Sequence, residues 1–171
     1  PRRRGSVLLD GAPAPSRLHQ MARRGVGFVP EERSIITGLS ARDNLRLVPD
    51  GVAGALAHFP ELERLLDRRA GLLSGGEQQM LILGRALARR PKLLLVDELS
   101  LGLAPIVTER LLGALRQAAD EDGTAVLLVE QQARRALAVA DTWCMLSNGV
   151  VAGRGNARDG VENLAAAYLA G

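Results

Sequence analysis

The chain has little of what several common protein classes require. It contains a single cysteine, Cys144, so no internal disulfide can form and no cysteine-based zinc site can be assembled. Aromatic residues make up only 2% of the sequence, which leaves few platforms on which unpaired bases could stack. The formal charge is +3, from 22 basic and 19 acidic residues. Nearly all the basic residues are arginine, and they are scattered along the chain instead of forming a block. Such a balance gives non-specific attraction alone, so nucleic acid is set aside as a partner. Long apolar runs are missing as well. Leu93 to Val96 and Ala125 to Val129 are far shorter than the ~20 residues a membrane-spanning helix needs. The start, Pro1-Arg2-Arg3-Arg4-Gly5, is basic but leads into no apolar signal segment, so the cytoplasm is the expected compartment. His19 and His58 stand outside any partner motif and read as ordinary surface or core residues.

What is present is a globular pattern. Apolar residues make up 47% of 171, enough for one substantial core. Gly5 to Gly11 reads as a short strand ending in a turn, and Val26 to Val29 as a second strand stopped by Pro30. Ser40 can cap a helix running towards Leu47, and Phe59 to Arg69 carries Leu62, Leu65 and Leu66 at helical spacing. After Pro91 the order becomes strand (Leu93 to Val96), helix (Pro105 to Ala119), strand (Thr124 to Val129), helix (Ala133 to Ala140), with a further strand near Trp143 to Leu146. This alternation predicts an α/β fold with a parallel sheet covered by helices. Val161 to Leu169 reads as a closing helix that packs Leu164 and Tyr168 onto the body.

Three segments point to chemistry. In Leu73-Ser74-Gly75-Gly76-Glu77-Gln78-Gln79, Ser74 and Glu77 have the spacing of a capping box, which many ordinary helices share. Consecutive glycines in the first turn weaken a helix, so they suggest that something approaches the backbone closely. A phosphate would suit the open N–H groups and positive dipole end at Ser74 to Gln78. In Leu93-Leu94-Leu95-Val96-Asp97-Glu98, a continuous apolar run suits a strand buried on both faces, with its carboxylates at the carboxyl end where α/β sheets bind ligands. There Asp97 would hold Mg²⁺ through water and Glu98 would polarise an attacking water. Taken alone, such an acidic pair can equally be the solvated start of a loop. The run Thr124 to Val129 repeats the design and ends in Glu130-Gln131-Gln132, where Gln131 could donate a hydrogen bond to a terminal phosphate but could not transfer a proton.

In this order the three segments resemble the signature, Walker B and switch region of an ATP-binding cassette. Gly27-Phe28-Val29-Pro30-Glu31, Ser100-Leu101-Gly102-Leu103-Ala104-Pro105 and Ala166-Ala167-Tyr168-Leu169 are similar to the second ATPase of branched-chain amino acid importers. The resemblance implies a P-loop NTPase-like core at residues 1–34 and 91–171, with a helical signature subdomain at 35–90. It implies ATP and Mg²⁺ as cofactors. It assigns Glu98 and Gln131 to catalysis, Asp97 to the metal, and Ser74, Gly75, Gly76, Glu77, Gln78 and Glu31 to nucleotide. Glu31 and Gln131 stand where the wider family has glutamine and histidine. Leu99 replaces the usual proline, which is expected to free the following loop.

The implied partners are a second ATPase subunit, identical or not, and membrane permease subunits, with this chain peripheral on the inner face of the cell membrane. One element of the family is absent: no Gly-x-x-x-x-Gly-Lys-Ser/Thr occurs in the 171 residues. The expectation is an amino-terminal truncation, with the first strand and phosphate loop lying on the order of 30 or more residues upstream. A decayed cassette serving as an assembly module is the alternative. A chromosome-maintenance ATPase fits less well, because residues 31–74 leave no room for a coiled-coil arm and show no heptads. The solute is not legible.

Overall fold

A computed structural model describes residues 5–32 and 34–159. The expected closing helix at Val161 to Leu169 lies outside them. The chain opens on a tight hairpin, β1 (Leu8–Leu9) and β2 (Ala12–Pro13), turning through Asp10 and Gly11 at positive φ. Helix α1 (Leu18–Arg23) follows, and β3 (Val26–Val29) runs up to Pro30 as expected. The next stretch is helical: α2 (Ala41–Leu45), α3 (Gly51–His58), 3-10 turns at Pro60–Leu65 and Ala70–Leu72, and α4 (Gly75–Leu87). Then come β4 (Leu93–Asp97), α5 (Pro105–Glu121), β5 (Ala125–Val129), α6 (Ala133–Val139) and an antiparallel pair, β6 (Thr142–Ser147) and β7 (Val150–Asn156).

The strands β3, β4 and β5 form a parallel sheet in that order, with Val29 opposite Val96 and Val96 opposite Leu128. Parallel neighbours need a crossover, and the helical stretch and α5 supply the connections. The α/β fold read from the alternation is therefore observed. Alternation along each strand sorts the residues by face. Val29, Leu94 and Val96 are buried and share one core with Leu81, Leu83, Leu111 and Leu115 from α4 and α5. Phe28, Leu127 and Val129 alternate with that set and stand about half exposed, at 49%, 58% and 51%. The expectation that β5 is buried on both faces is thus corrected, while the outer face of β4 is half-buried. An apolar strand carries no signal of which of its faces is covered, and among the described residues β5, like β3, is an edge strand of this sheet.

Helix α3 was not anticipated, and its sequence explains why. Gly51 and Gly54 have poor helix propensity, so its stability comes from packing. A Cβ on Gly54 would lie 2.7 Å from Ala88 Cβ and 2.8 Å from Ala88 Cα, and one on Gly84 would lie 3.0 Å from Ala55 Cβ. The glycines let α3 and α4 approach closely. The stretch Phe59 to Arg69 was expected to be helical throughout, but it forms a 3-10 turn at Pro60–Leu65 and then leaves helical geometry. Arg110 on α5 clasps this turn: its Nε donates to Glu61 Oε1 at 2.8 Å, another guanidinium N–H donates to the His58 carbonyl, and the group stacks 4.7 Å above Phe59. Among the described residues no helix is long and apolar enough to cross a membrane.

Candidate functional site

Helix α4 begins as its sequence requires. Ser74 is the N-cap, its Oγ accepting from Glu77 N at 3.3 Å while Glu77 Oε2 accepts from Ser74 N at 2.8 Å. The Ser74 N–H holds the Glu77 carboxyl below the ordinary glutamate value, against the opposing effect of burial. Among the described residues Gly75 and Gly76 receive no capping bond at their N–H groups. Gly76 also has a packing reason that its sequence did not suggest. A Cβ there would lie 2.8 Å from Val107 Cγ1, so the close neighbour of this backbone is the first turn of α5. Gln78 turns out to be buried, with its amide donating to the carbonyls of Ala70 and Leu73 at 3.1 Å each. It braces the segment that leads into the helix.

The carboxyl end of β4 carries Asp97 and Glu98, each half-buried. Glu98 adopts φ +49°, a left-handed conformation that costs a non-glycine residue about 1–3 kcal/mol and is concentrated at functional sites. Its N–H donates to the Val129 carbonyl at 3.0 Å, which extends the β4–β5 pairing one step beyond Asp97. The next residue, Leu99, is 1% exposed and belongs to the core. Leucine there therefore does not free the loop as expected; its side chain anchors it.

A cleft of about 180 Å³ lies beside this strand end, lined by Glu31, Glu32, Gln79, Glu98, Leu99, Leu101 and Leu103. The structure thus brings together Glu31, which lies beyond β3, and Glu98, which directly follows β4. Asp97 and Gln131 are outside the lining but close to it in chain and register: Asp97 pairs with Val129, and Gln131 is exposed directly beyond β5. Ser74, Gly75, Gly76 and Glu77 do not line this cleft, and Gly76 packs against the start of α5. The predicted site residues accordingly fall into two sets.

Sequence reasoning missed several residues. Gln79, 4% exposed, faces the cleft that its neighbour Gln78 does not line. Asn44 is fully buried on α2 and holds Ile36 at both ends, accepting from its N–H at 2.9 Å and donating to its carbonyl at 3.0 Å. Arg85 on α4 donates to the Ser34 carbonyl. A second groove, of about 380 Å³, runs past Ser34 and Arg85 between α1, β3 and α4, with Leu18, Met21, Phe28 and Ile82 among its walls.

Comparison with known proteins agrees with this geometry. A family model described as ABC transporter matches residues 1–100, more than half of the chain. The branched-chain amino acid transport ATP-binding protein BraG of Pseudomonas aeruginosa is 42% identical over 74% of this chain and 58% of its own length. A probable branched-chain amino acid transport ATP-binding protein, LivF, of Archaeoglobus fulgidus is 33% identical over 93% of this chain and 72% of its own length. The lipopolysaccharide export ATP-binding protein LptB of Escherichia coli is 34% identical over 87% of this chain and 66% of its length. Among solved structures, a dimeric ATP-binding cassette in a post-hydrolysis state with ADP and Pi superposes with a TM-score of 0.78 at 24% identity, covering 90% of this chain and 74% of that one. That likeness supports the fold. Sequence relatives, family match and fold converge, and the chain belongs to the ABC transporter family, within its ATP-binding subunits.

Proposed function

We propose that the chain supplies the signature half and the hydrolytic carboxylate of an ATPase that drives solute transport, with branched-chain amino acid uptake as its service. The observation that carries this is the juxtaposition of Glu31, Gln79 and left-handed Glu98 in one cleft at the carboxyl ends of parallel strands. In that position Glu98 orients and polarises water, while Gln131 donates a hydrogen bond towards the terminal phosphate. Asp97 contributes one carboxylate to Mg²⁺ through water. The remaining ligands in this reading are nucleotide and solvent oxygens, as is usual for this ion. When bound, MgATP brings the phosphoanhydride that is cleaved and most of the charge to be stabilised.

The fit is partial. A cleft of about 180 Å³ is below the ~300–1,000 Å³ of sites that enclose a ligand. No Gly-x-x-x-x-Gly-Lys-Ser/Thr occurs in these 171 residues, so in this reading the phosphate loop is supplied from elsewhere, and the capped start of α4 faces the nucleotide of a second subunit. Ser74, Gly75, Gly76 and Glu77 do that work, with Gln78 bracing them. In this division residues 1–34 and 91–171 are the nucleotide-binding core and 35–90 the helical signature subdomain. The groove past Ser34 and Arg85 is the docking surface for a membrane permease subunit, which would hold the chain on the inner face of the membrane. Its apolar walls and arginine rim suit an amphipathic segment.

Import of branched-chain amino acids is supported by the likeness to BraG and LivF. Export is the second reading, favoured by the 34% identity to LptB over 87% of the chain. Reconstitution with cognate permease subunits in vesicles separates them: ATP-dependent accumulation of labelled leucine supports import, and its absence alongside undiminished ATP turnover rejects it. Within that complex Glu98→Gln is expected to abolish phosphate release. Undiminished release would remove Glu98 from its role.

A further inference from the structure

Beyond the end of β4 the chain must leave a strand, carry Glu98 in a left-handed conformation and enter α5 at Pro105. Beyond the end of β5 it must present Gln131 and enter α6 at Ala133. Both segments are exposed in part, and loops of this kind are ordinarily the loosest portions of an α/β fold. Here they are tied together. Ser100 N donates to Glu130 Oε1 at 2.9 Å, and Ser100 Oγ donates to Glu130 Oε2 at 2.8 Å. One carboxylate thus spends both oxygens on one residue of the neighbouring loop, and Ser100 is only 2% exposed. Hydrogen bonds to an ionised acceptor are about twice as strong as neutral ones, and shielding from water preserves that strength.

We infer that Glu130 is a positioning residue whose carboxylate clamps the 98–103 loop to the end of β5, fixing Glu98 and Gln131 relative to one another. This inference rests on the functional reading above for what those two residues do. The clamp itself rests on geometry. Pairing between β4 and β5 continues through the Glu98 N–H to the Val129 carbonyl, and the next cross-connection is Ser100 to Glu130. Between them Leu99 is buried, and within the loop the Leu101 N–H reaches the Glu98 carbonyl at 3.3 Å and the Leu103 N–H reaches the Ser100 carbonyl at 3.1 Å. The left-handed Glu98 is consequently pinned on both sides. On the other strand Gln131 is adjacent to the clamp, and its carbonyl accepts from the Ala133 N–H at 2.9 Å. Glu130 does not take part in the ion pairs found among the described residues, so Ser100 is the partner that orients it. A merely solvated acid after a strand would show neither the double contact nor a buried partner.

Amide hydrogen exchange on the full 171-residue chain, without nucleotide, tests this from both ends. Glu130→Ala is expected to speed exchange of the Ser100 amide on the order of tenfold or more, and Glu130→Gln, which keeps an acceptor and adds a donor, to restore most of the protection. Reciprocally, Ser100→Ala is expected to speed exchange at Ala133, reporting that Gln131 has been released. Unchanged Ser100 exchange in Glu130→Ala, or Ala133 exchange unmoved by Ser100→Ala, would overturn the inference. Should Glu130→Ala fail to fold, the Ser100→Ala arm and the Glu130→Gln variant carry the test. Whether the site hydrolyses ATP is read separately by Glu98→Gln in the assembled transporter. The clamp can therefore fail while the site assignment stands, and the converse also holds.

Discussion

Asn44 gives the sharpest stability test, because a fully buried amide is satisfied entirely by backbone. Its Oδ1 accepts from Ile36 N at 2.9 Å, and its Nδ2 donates to the carbonyls of Ile36 and Ser40 at 3.0 Å each. Truncation to alanine removes these bonds and leaves the Ile36 N–H without its acceptor, while the Ile36 and Ser40 carbonyls still accept from the Leu39 and Asn44 N–H groups. A net hydrogen bond contributes about 0.5–1.5 kcal/mol, and an unsatisfied buried group costs about 1–3 kcal/mol. Ile36 is 49% exposed, so water can replace part of what it loses. The expected cost of Asn44→Ala is therefore about 2–4 kcal/mol, or ~4–15 °C in Tm for a chain of this size. Asn44→Asp, which keeps the acceptor but sets a buried carboxylate oxygen against the Ile36 and Ser40 carbonyls, should cost at least as much. Urea denaturation followed by circular dichroism measures it, with a lowered midpoint at unchanged slope as the signature. A loss below about 0.5 kcal/mol would mean that the 34–37 loop is not held as described.

Gly54→Ala forces Cβ to within 2.8 Å of Ala88 Cα, a backbone neighbour that cannot swing away, and is expected to cost ~1–3 kcal/mol in urea denaturation; a stabilised variant would contradict the α3–α4 packing. Gly76→Ala places Cβ 2.8 Å from Val107 Cγ1, and pairing it with Val107→Ala is expected to recover most of the lost stability, whereas simple additivity would deny the contact. Glu61 is pushed up by burial but pulled further down by the Arg110 hydrogen bonds and charge, ending below the ordinary glutamate value. Its contribution is thus complete above the unfolded glutamate value and is lost as pH falls through the lower folded value. Arg110→Met should flatten that acid limb of the urea midpoint against pH, and an unchanged limb would place the titration elsewhere. Isothermal calorimetry of the 171-residue chain with MgATP is expected to show no saturable binding, since no phosphate loop occurs in it; saturation in the micromolar range would refute this.

How much of this was legible in the sequence depended on how local the signal was. The capping box at Ser74 and Glu77 and the proline at the start of α5 announce helices through their own backbone chemistry, and both helices begin there. The apolar run at β4 likewise ends in Asp97 as read. Tertiary facts left weaker marks. Gly51 and Gly54 argue against a helix until Leu45 is known to lie against the first and Ala88 against the second. Gly76 could be read as room for a phosphate because nothing in the heptad mentions Val107. Leu127 and Val129 match a central strand in composition, and their exposure depends on what stands beside β5. Gln78 and Gln79 are neighbours in one motif, yet one braces a loop and the other lines the cleft, a difference of helical phase. The partnership of Glu130 with Ser100, 30 residues apart, has no sequence signature.

The most direct test mixes the purified chain with a related cassette that has an intact phosphate loop but a signature serine replaced by arginine, and measures phosphate release. If the chain supplies the signature half of a shared site, release rises with added chain, saturates, and disappears when this chain carries Ser74→Arg. Release that stays at background with wild-type chain, or that persists undiminished with Ser74→Arg, would contradict that role.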